Sequence, residues 1–427
     1  MVSKSTQKEY VRILSPSRFD PWRGKAPLLS HLDIELSERC NNACIHCCIN
    51  QPEHDAELTG REMSTAFIRD LLQQAADLGC ISVRFTGGEP LLRQDFTELY
   101  LFARRFGMQV VLFTNARLIT PELAQLLARI PPGKMVEVTV YGMHAESYDA
   151  VAARAGAFAE FWRGVELLRE HKIRFIVKQS LLPANRAEQA EFEAWALTAA
   201  DMKDSPGYSI NFELRGRRDN PAKNRVIESL RFSPEETVAL LTSRPGYVEE
   251  MQQFCAKFMG PSGDVLFGCG AGKSVCVDAY GRAQMCMGLR HPDLVWDLHR
   301  ADEAEAADMS PLKFVLTEVF PKWRQTRAIN PDYLQRCARC FLKGLCEQCP
   351  ARSWQEHGDL DTPVEYFCAI AHAQARDLGL LDRGEKAWEV EDWSDRVAEF
   401  SGHWSAVSKQ NPACPILDKD KNLDIEF

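Results

Sequence analysis

The chain has 427 residues, 45% apolar and 26% charged, with a net charge of −9. That length calls for one large domain with an appendage or for two domains, and the composition is that of a globular protein. The acidic balance gives no electrostatic support for nucleic acid or an anionic membrane as partner, and no apolar run is long enough to span a bilayer. The opening segment, MVSKSTQKEYVRILS, lacks the apolar stretch of a secretory signal, so the expected location is the cytoplasm. Fifteen cysteines in such a setting are reduced thiols, and C-x-x-C pairs among them point to metal, iron–sulfur ahead of zinc.

Residues 1–31 form an N-terminal extension, too short for a full winged-helix domain that binds leader peptides. From residue 32 the pattern alternates. β-rich runs at 32–36, 81–86, 109–114, 135–141, 173–178 and 208–213 are separated by amphipathic helical stretches at 65–78, 94–106, 121–128, 158–171 and 186–199. Alternation at this spacing predicts an α/β fold with a parallel sheet, and six repeats predict an open, partial (βα)6 TIM-like barrel. Functional groups in such barrels sit on loops at the C-terminal ends of the strands.

The first such loop is Cys40-Asn-Asn-Ala-Cys44-Ile-His-Cys47. Three thiols on one tight loop suit a four-iron cube and leave one iron without a protein ligand. Zinc would want a fourth close ligand, and His46, lying between two of the cysteines, is poorly placed to supply it. The second strand ends at Phe85-Thr-Gly87-Gly88-Glu89-Pro90. Paired glycines let the backbone approach a ligand closely, and Glu89 is an acceptor for an ammonium group. Thr114, Asn115, Ser180 and Arg215 are the polar groups at later strand ends; each also suits the capping of a strand or helix.

Residues 216–268 break the alternation as a helical connector, with helices at 233–242 and 248–258. The Arg215–Arg218 stretch is basic. Such a loop is ordinarily solvated surface; contact with an acidic peptide is the alternative. A second cysteine array follows. Asp278-Ala-Tyr280-Gly281 reads as the turn of a β-hairpin that gathers Cys269, Cys276 and Cys286. Then come Cys337, Cys340, Cys346 and Cys349, with Cys368 further on. Two C-x-x-C pairs suit a zinc ribbon, but eight thiols in all amount to two complete four-cysteine cluster sites.

The cysteine loop and the Gly-Gly-Glu turn together resemble the radical S-adenosylmethionine (SAM) superfamily. The later array resembles the SPASM domain, a C-terminal extension of members that act on peptides and proteins. Cys269, Gly281, Cys286, Cys337, Cys340, Cys346, Cys349 and Cys368 match its pattern in order, with two residues rather than three between Cys346 and Cys349. The resemblance implies domains at 32–215 (barrel) and 269–372 (SPASM), with a helical segment and tail at 373–427. It implies that Cys40, Cys44 and Cys47 are the catalytic residues holding a SAM-binding [4Fe–4S] cluster. Gly87, Gly88 and Glu89 would take the amino group of SAM. Cys269, Cys276, Cys286 and Cys349 would hold an inner auxiliary [4Fe–4S] cluster, and Cys337, Cys340, Cys346 and Cys368 an outer one.

The function so implied is reductive cleavage of SAM and hydrogen abstraction from a peptide or protein. Maturation of a ribosomal peptide, by a thioether or carbon–carbon crosslink or a side-chain change, is favoured. The implied partners are an electron donor such as flavodoxin or ferredoxin and, in some systems, a separate leader-binding protein. Sulfatase-maturing relatives carry an acidic residue after the hairpin's last cysteine; here Met287 stands there, and Asp278 is assigned to the turn. That lowers the sulfatase-maturase reading; peptide epimerisation and a non-catalytic iron–sulfur electron carrier remain alternatives. Cys48, Cys80, Cys255 and Cys414 are assigned no role.

Overall fold

In a computed structural model the described residues are 28–199, 202, 206–244, 246–300 and 302–402. Most of the N-terminal extension, and the tail with Cys414, lie outside them. The chain divides into two compact units, one drawn from residues 1–231 and 271–323, the other from 232–270 and 324–427.

The first unit is built on β1 (His31–Ser37), β2 (Ser82–Gly87), β3 (Gln109–Thr114), β4 (Gly133–Val140), β5 (Phe175–Ser180) and β6 (Tyr208–Ser209), each parallel to the next. Period-two alternation sorts each strand's faces. Leu32, Ile34 and Leu36 of β1 are fully buried, as are Val83 and Phe85 of β2 and Val136, Val138 and Val140 of β4. Burying each such side chain contributes about 1.5–3 kcal/mol. Helices α1 (Thr65–Asp77), α2 (Phe96–Arg105), α3 (Pro121–Arg129), α4 (Ala145–Ala152), α5 (Ala157–Glu170) and α6 (Gln189–Ala199) alternate with the strands. In α1, Ser64 caps the N-terminus by accepting the Phe67 N–H, and Ile68, Leu71, Leu72 and Ala75 form its buried stripe.

The predicted α/β fold and parallel sheet are present, with three differences. The sixth strand pairs only over Tyr208–Ser209; beyond it Phe212 and Leu214 leave the sheet to pack with Val151, Leu182 and Ile227. Helix α4, absent from the sequence reading, forms because Tyr148, Val151 and Ala152 bury one face of a short, uncapped segment. The hairpin is present as β7 (Val275–Val277) and β8 (Arg282–Gln284), with Asp278 Oδ1 accepting the N–H groups of Tyr280 and Arg282. However, β7 pairs in parallel with β1, and β9 (Trp296–Asp297) pairs with β8. Among the described residues the sheet therefore has nine strands in the order β9–β8–β7–β1–β2–β3–β4–β5–β6. The hairpin thus belongs to the first unit, where the edge of β1 takes it as its hydrogen-bonding partner.

In the second unit, α8 (Pro234–Thr242), α9 (Tyr247–Phe258), α10 (Pro350–His357), α11 (Glu365–Asp377) and α12 (Trp393–Ser401) follow α7 (Pro221–Ser229) of the first. Its core includes Tyr247, Phe341, Leu342, Ala371, Leu380 and Val397, with Cys255 buried among them as a small hydrophobe. Among the described residues no helix is long and apolar enough to cross a membrane.

Candidate active site

The cysteine loop leaves β1 at its C-terminal end. Arg39–Cys40 pairs with Gln51–Pro52, closing the loop at its neck. Arg39 clamps that neck, with Nε and Nη2 on the two Glu62 oxygens at 2.8 and 3.0 Å and Nη1 on the Glu53 carbonyl at 2.9 Å. The Ala43 and Ile45 N–H groups donate to the Ala152 and Val151 carbonyls at 2.9 and 3.1 Å. Those are the last carbonyls of α4, which the helix itself leaves without partners. Lys223 Nζ donates to the Cys44 carbonyl at 2.6 Å.

Cys40 and Cys44 are perturbed by burial and by their neighbours. Burial, then the charges of Glu89 and Cys44, hold Cys40 well above an ordinary thiol, and burial with the neighbouring Cys47 pushes Cys44 up to about 12. Thiols so placed become thiolates only when a cation is present to compensate them.

The Gly-Gly-Glu turn lies directly against this loop. Gly88 N–H donates to the Ser37 carbonyl at 2.7 Å and Glu89 N–H to that of Arg39 at 2.9 Å. A Cβ on Gly87 would sit 2.0 Å from the Ser37 oxygen, and one on Gly88 2.2 Å from the Arg39 oxygen. The glycines thus serve the approach of one strand end to the other. Glu89 is fully buried. Its Oε1 accepts from Thr114 Oγ1 at 2.8 Å and the Leu91 N–H at 3.1 Å, and its Oε2 from the Asn115 N–H at 2.9 Å. A carboxylate has about four acceptor positions, so one remains for a further donor. Burial outweighs these bonds and pushes the Glu89 carboxyl up to about 7. Asn115 Nδ2 donates to Asn41 Oδ1 at 2.7 Å and lies 3.8 Å from Cys40 Sγ.

Gly87, Gly88, Glu89, Thr114 and Asn115 are therefore gathered at Cys40. Arg215 joins them across a cleft lined by Cys40, Asn50, Asp219 and Lys223, where it pairs with Asp219 at 2.5 Å. Ser180 is buried at the end of β5, where its carbonyl accepts from Asn185 Nδ2, and it does not line that cleft. The residue that sequence reasoning missed is Arg117. It is buried, and its Nη1 donates to the Asn41 carbonyl and to Asn42 Oδ1 at 2.5 and 2.6 Å, while Nε holds Glu160 at 2.9 Å. Its position two residues after Asn115, at a strand end, is the only signal the sequence carries for it.

One face of the sheet carries a charged row: Asp33–Arg84 at 2.9 Å, the Arg84 guanidinium 4.6 Å from the Phe113 ring centre, and Lys178–Glu137 at 3.2 Å. These residues alternate with the buried apolar positions of β1, β2, β3, β4 and β5.

In the second unit Cys337, Cys340, Cys346 and Cys368 line a single pocket, with Arg336 and His372 beside them. Cys349 stands at the N-cap position of α10, and Cys269 is exposed. In the first unit the buried Cys276 thiol donates to Asp33 Oδ2 at 3.3 Å, and Cys286 is half-buried. None of the described cysteines is in a disulfide. Among the described residues no three His, Cys, Asp or Glu side chains are drawn together around one metal ion. A cube of four irons is larger, and it takes its thiolates at separate corners; the donor set Cys40, Cys44 and Cys47 and the cavity of four thiols fit such a group.

Residues 34–186 match the model of the Radical SAM superfamily. The chain is 33% identical over 357 residues to the AdoMet-dependent heme synthase of Nitratidesulfovibrio vulgaris, covering 78% of this chain and 90% of that one. It is 22% identical over 346 residues to the antilisterial bacteriocin subtilosin biosynthesis protein AlbA of Bacillus subtilis, covering 79% and 74%. The solved structure "Native anSMEcpe with bound AdoMet" shares the fold at a TM-score of 0.56 and 17% identity, covering 81% of this chain and 96% of that one. With SAM and a [4Fe–4S] cluster as its cofactors, the chain belongs to the radical SAM superfamily and is an enzyme of that family.

Proposed function

We propose that this enzyme abstracts a hydrogen atom from a peptide, in the maturation of a ribosomally made precursor. The observation that carries the site assignment is the tie from Glu89 through Asn115 to Asn41 and Cys40, which puts the Gly-Gly-Glu turn beside the cysteine loop. Cys40, Cys44 and Cys47 would hold the cluster, and the remaining acceptor position of Glu89 faces the demand of an ammonium group such as that of SAM. When bound, cluster and SAM supply a one-electron cleavage of the sulfonium and, from it, abstraction of hydrogen from unactivated carbon. Arg39, Arg117 and the end of α4 fix the loop's shape beforehand, and the cation of Lys223 offsets thiolate charge. Arg215 and Lys223 on the cleft wall are suited to a carboxylate.

Two auxiliary clusters belong to the same reading. The cavity lined by Cys337, Cys340, Cys346 and Cys368 supports the outer one. The inner one, from Cys269, Cys276, Cys286 and Cys349, rests on resemblance to SPASM domains, and its loading would break the bond from Cys276 to Asp33. An external one-electron donor, such as flavodoxin or ferredoxin, completes the cycle, and a separate leader-binding protein is a further proposed partner.

The charged row Asp33–Arg84–Phe113–Glu137–Lys178 supports a polar, peptide-like substrate, as does the printed role of the AlbA relative in making a bacteriocin. A second reading is favoured by the relative named heme synthase: an iron porphyrin as substrate. The test is anaerobic reconstitution with iron and sulfide, then dithionite and SAM. Formation of 5′-deoxyadenosine with about twelve irons per chain supports the cluster reading; no 5′-deoxyadenosine would leave only an electron carrier. Consumption of SAM coupled to conversion of an iron porphyrin, and not of a short peptide encoded beside the gene, selects the second reading.

A further inference from the structure

Arg336 immediately precedes Cys337 in the chain, yet it reaches a different thiol. Its Nη2 lies 3.7 Å from Cys368 Sγ. The guanidinium is fixed on its other sides: Nη1 donates to Glu365 Oε1 at 2.6 Å and to Asp332 Oδ2 at 3.1 Å, and the Trp388 ring centre lies 4.9 Å away. The Arg336 side chain is 19% exposed. The neighbouring His372 also approaches this sulfur, with Nδ1 3.6 Å from Cys368 Sγ, but it brings no permanent charge. Its Nε2 accepts the Ala387 N–H at 3.2 Å, so Nδ1 carries the proton and donates it to the Cys368 carbonyl at 2.8 Å. The permanent positive charge at the Cys368 thiol is therefore that of Arg336.

We propose that Arg336 sets the reduction potential of the outer auxiliary cluster, an inference that rests on Cys337, Cys340, Cys346 and Cys368 holding one. A cluster gains one negative charge when it takes up an electron. A fixed cation that also donates a hydrogen bond to a ligand sulfur stabilises the reduced state and raises the potential. Arginine suits the task because its charge is not lost to deprotonation and its planar fork can serve the carboxylates and the sulfur together. Glu365 and Asp332 hold the fork in place and partly offset its field, so they act on the potential in the opposite sense. The step involves one electron from an external reductant and no proton transfer.

The test uses the full chain, reconstituted anaerobically and titrated with dithionite while its electron paramagnetic resonance is followed. In the wild type about twelve irons per chain and separable cluster signals establish the outer cluster; about four irons would overturn the cluster reading itself, and the role of Arg336 with it. With the clusters present, Arg336→Gln is expected to lower the midpoint of one signal and leave the others in place, and Arg336→Lys to lower it less. Glu365→Gln is expected to raise the same midpoint. It also serves if Arg336→Gln fails to load its cluster, since it keeps the arginine. Unchanged midpoints in every loaded variant, or a fall in Glu365→Gln, overturn the proposal.

Discussion

The amide of Asn115 donates to Asn41 Oδ1 at 2.7 Å, joining the end of the third strand to the cysteine loop across 74 positions of sequence. The same side chain accepts the Arg117 N–H at 3.0 Å. Both partners are buried, so removing the amide leaves two groups without compensation, at about 1–3 kcal/mol each. Asn115→Ala is expected to lower the melting temperature and weaken cluster retention, measured as iron per chain after desalting. Wild-type iron content in that variant would deny the bridge a part in the site.

Arg117 should be harder to replace than its place near the end of a strand suggests. Methionine there removes the donors to the Asn41 carbonyl and Asn42 Oδ1, and a cost of about 2–4 kcal/mol is expected. Lysine should rescue little, because a point charge cannot serve Asn41, Asn42 and Glu160 at once. Denaturant melts of Arg117→Met and Arg117→Lys check both statements.

Gly88→Ala places a methyl group 2.2 Å from the Arg39 carbonyl oxygen and 2.6 Å from that of Glu38, both backbone atoms. Backbone cannot swing aside as a side-chain tip can, so this variant should lose the cleavage of SAM as the cysteine loop is displaced. Gly60→Ala, which meets nothing within 4 Å, is the matched control and should be neutral or stabilising by up to about 1 kcal/mol. The pair separates crowding from a general intolerance of lost glycine.

Glu89 gives the site a pH dependence of definite sign. Burial raises its carboxyl from an ordinary value near 4.5 to about 7. The protonated form is therefore favoured by folding, and its contribution to stability is present below about 4.5 and lost as pH rises through 7. Glu89→Gln should flatten that dependence in SAM-free protein. An ammonium group alongside would favour the ionised form, so the rise in melting temperature on adding SAM should be larger at pH 8 than at pH 6. An equal rise at both pH values would deny Glu89 contact with the amino group.

Most of the barrel was legible because its strands carry a period-two apolar pattern and its longer helices a 3.6-residue apolar stripe. The segment after Ser209 was misleading: Phe212 and Leu214 alternate like a strand, but they find their apolar partners in Val151, Leu182 and Ile227 instead. Helix α4 was invisible for a related reason, since eight residues without a capping side chain are fixed by tertiary packing. The cysteine loop and glycine turn were readable from residue type and spacing alone. Arg117 was not, because a buried arginine that clamps backbone carbonyls looks in sequence like any surface arginine. The pairing of the hairpin with β1 also left no local mark, since edge pairing is a matter of backbone groups.

That last pairing has a mechanical consequence. Cys276 lies opposite Asp33 on the strand that runs on to Cys40. At about 3.3 Å per residue, the steps from position 33 to position 40 amount to a ruler of at most roughly 23 Å. The hairpin and the cysteine loop are thus joined through one strand, and that length bounds how far apart the two thiol-bearing regions of the first unit can lie along it.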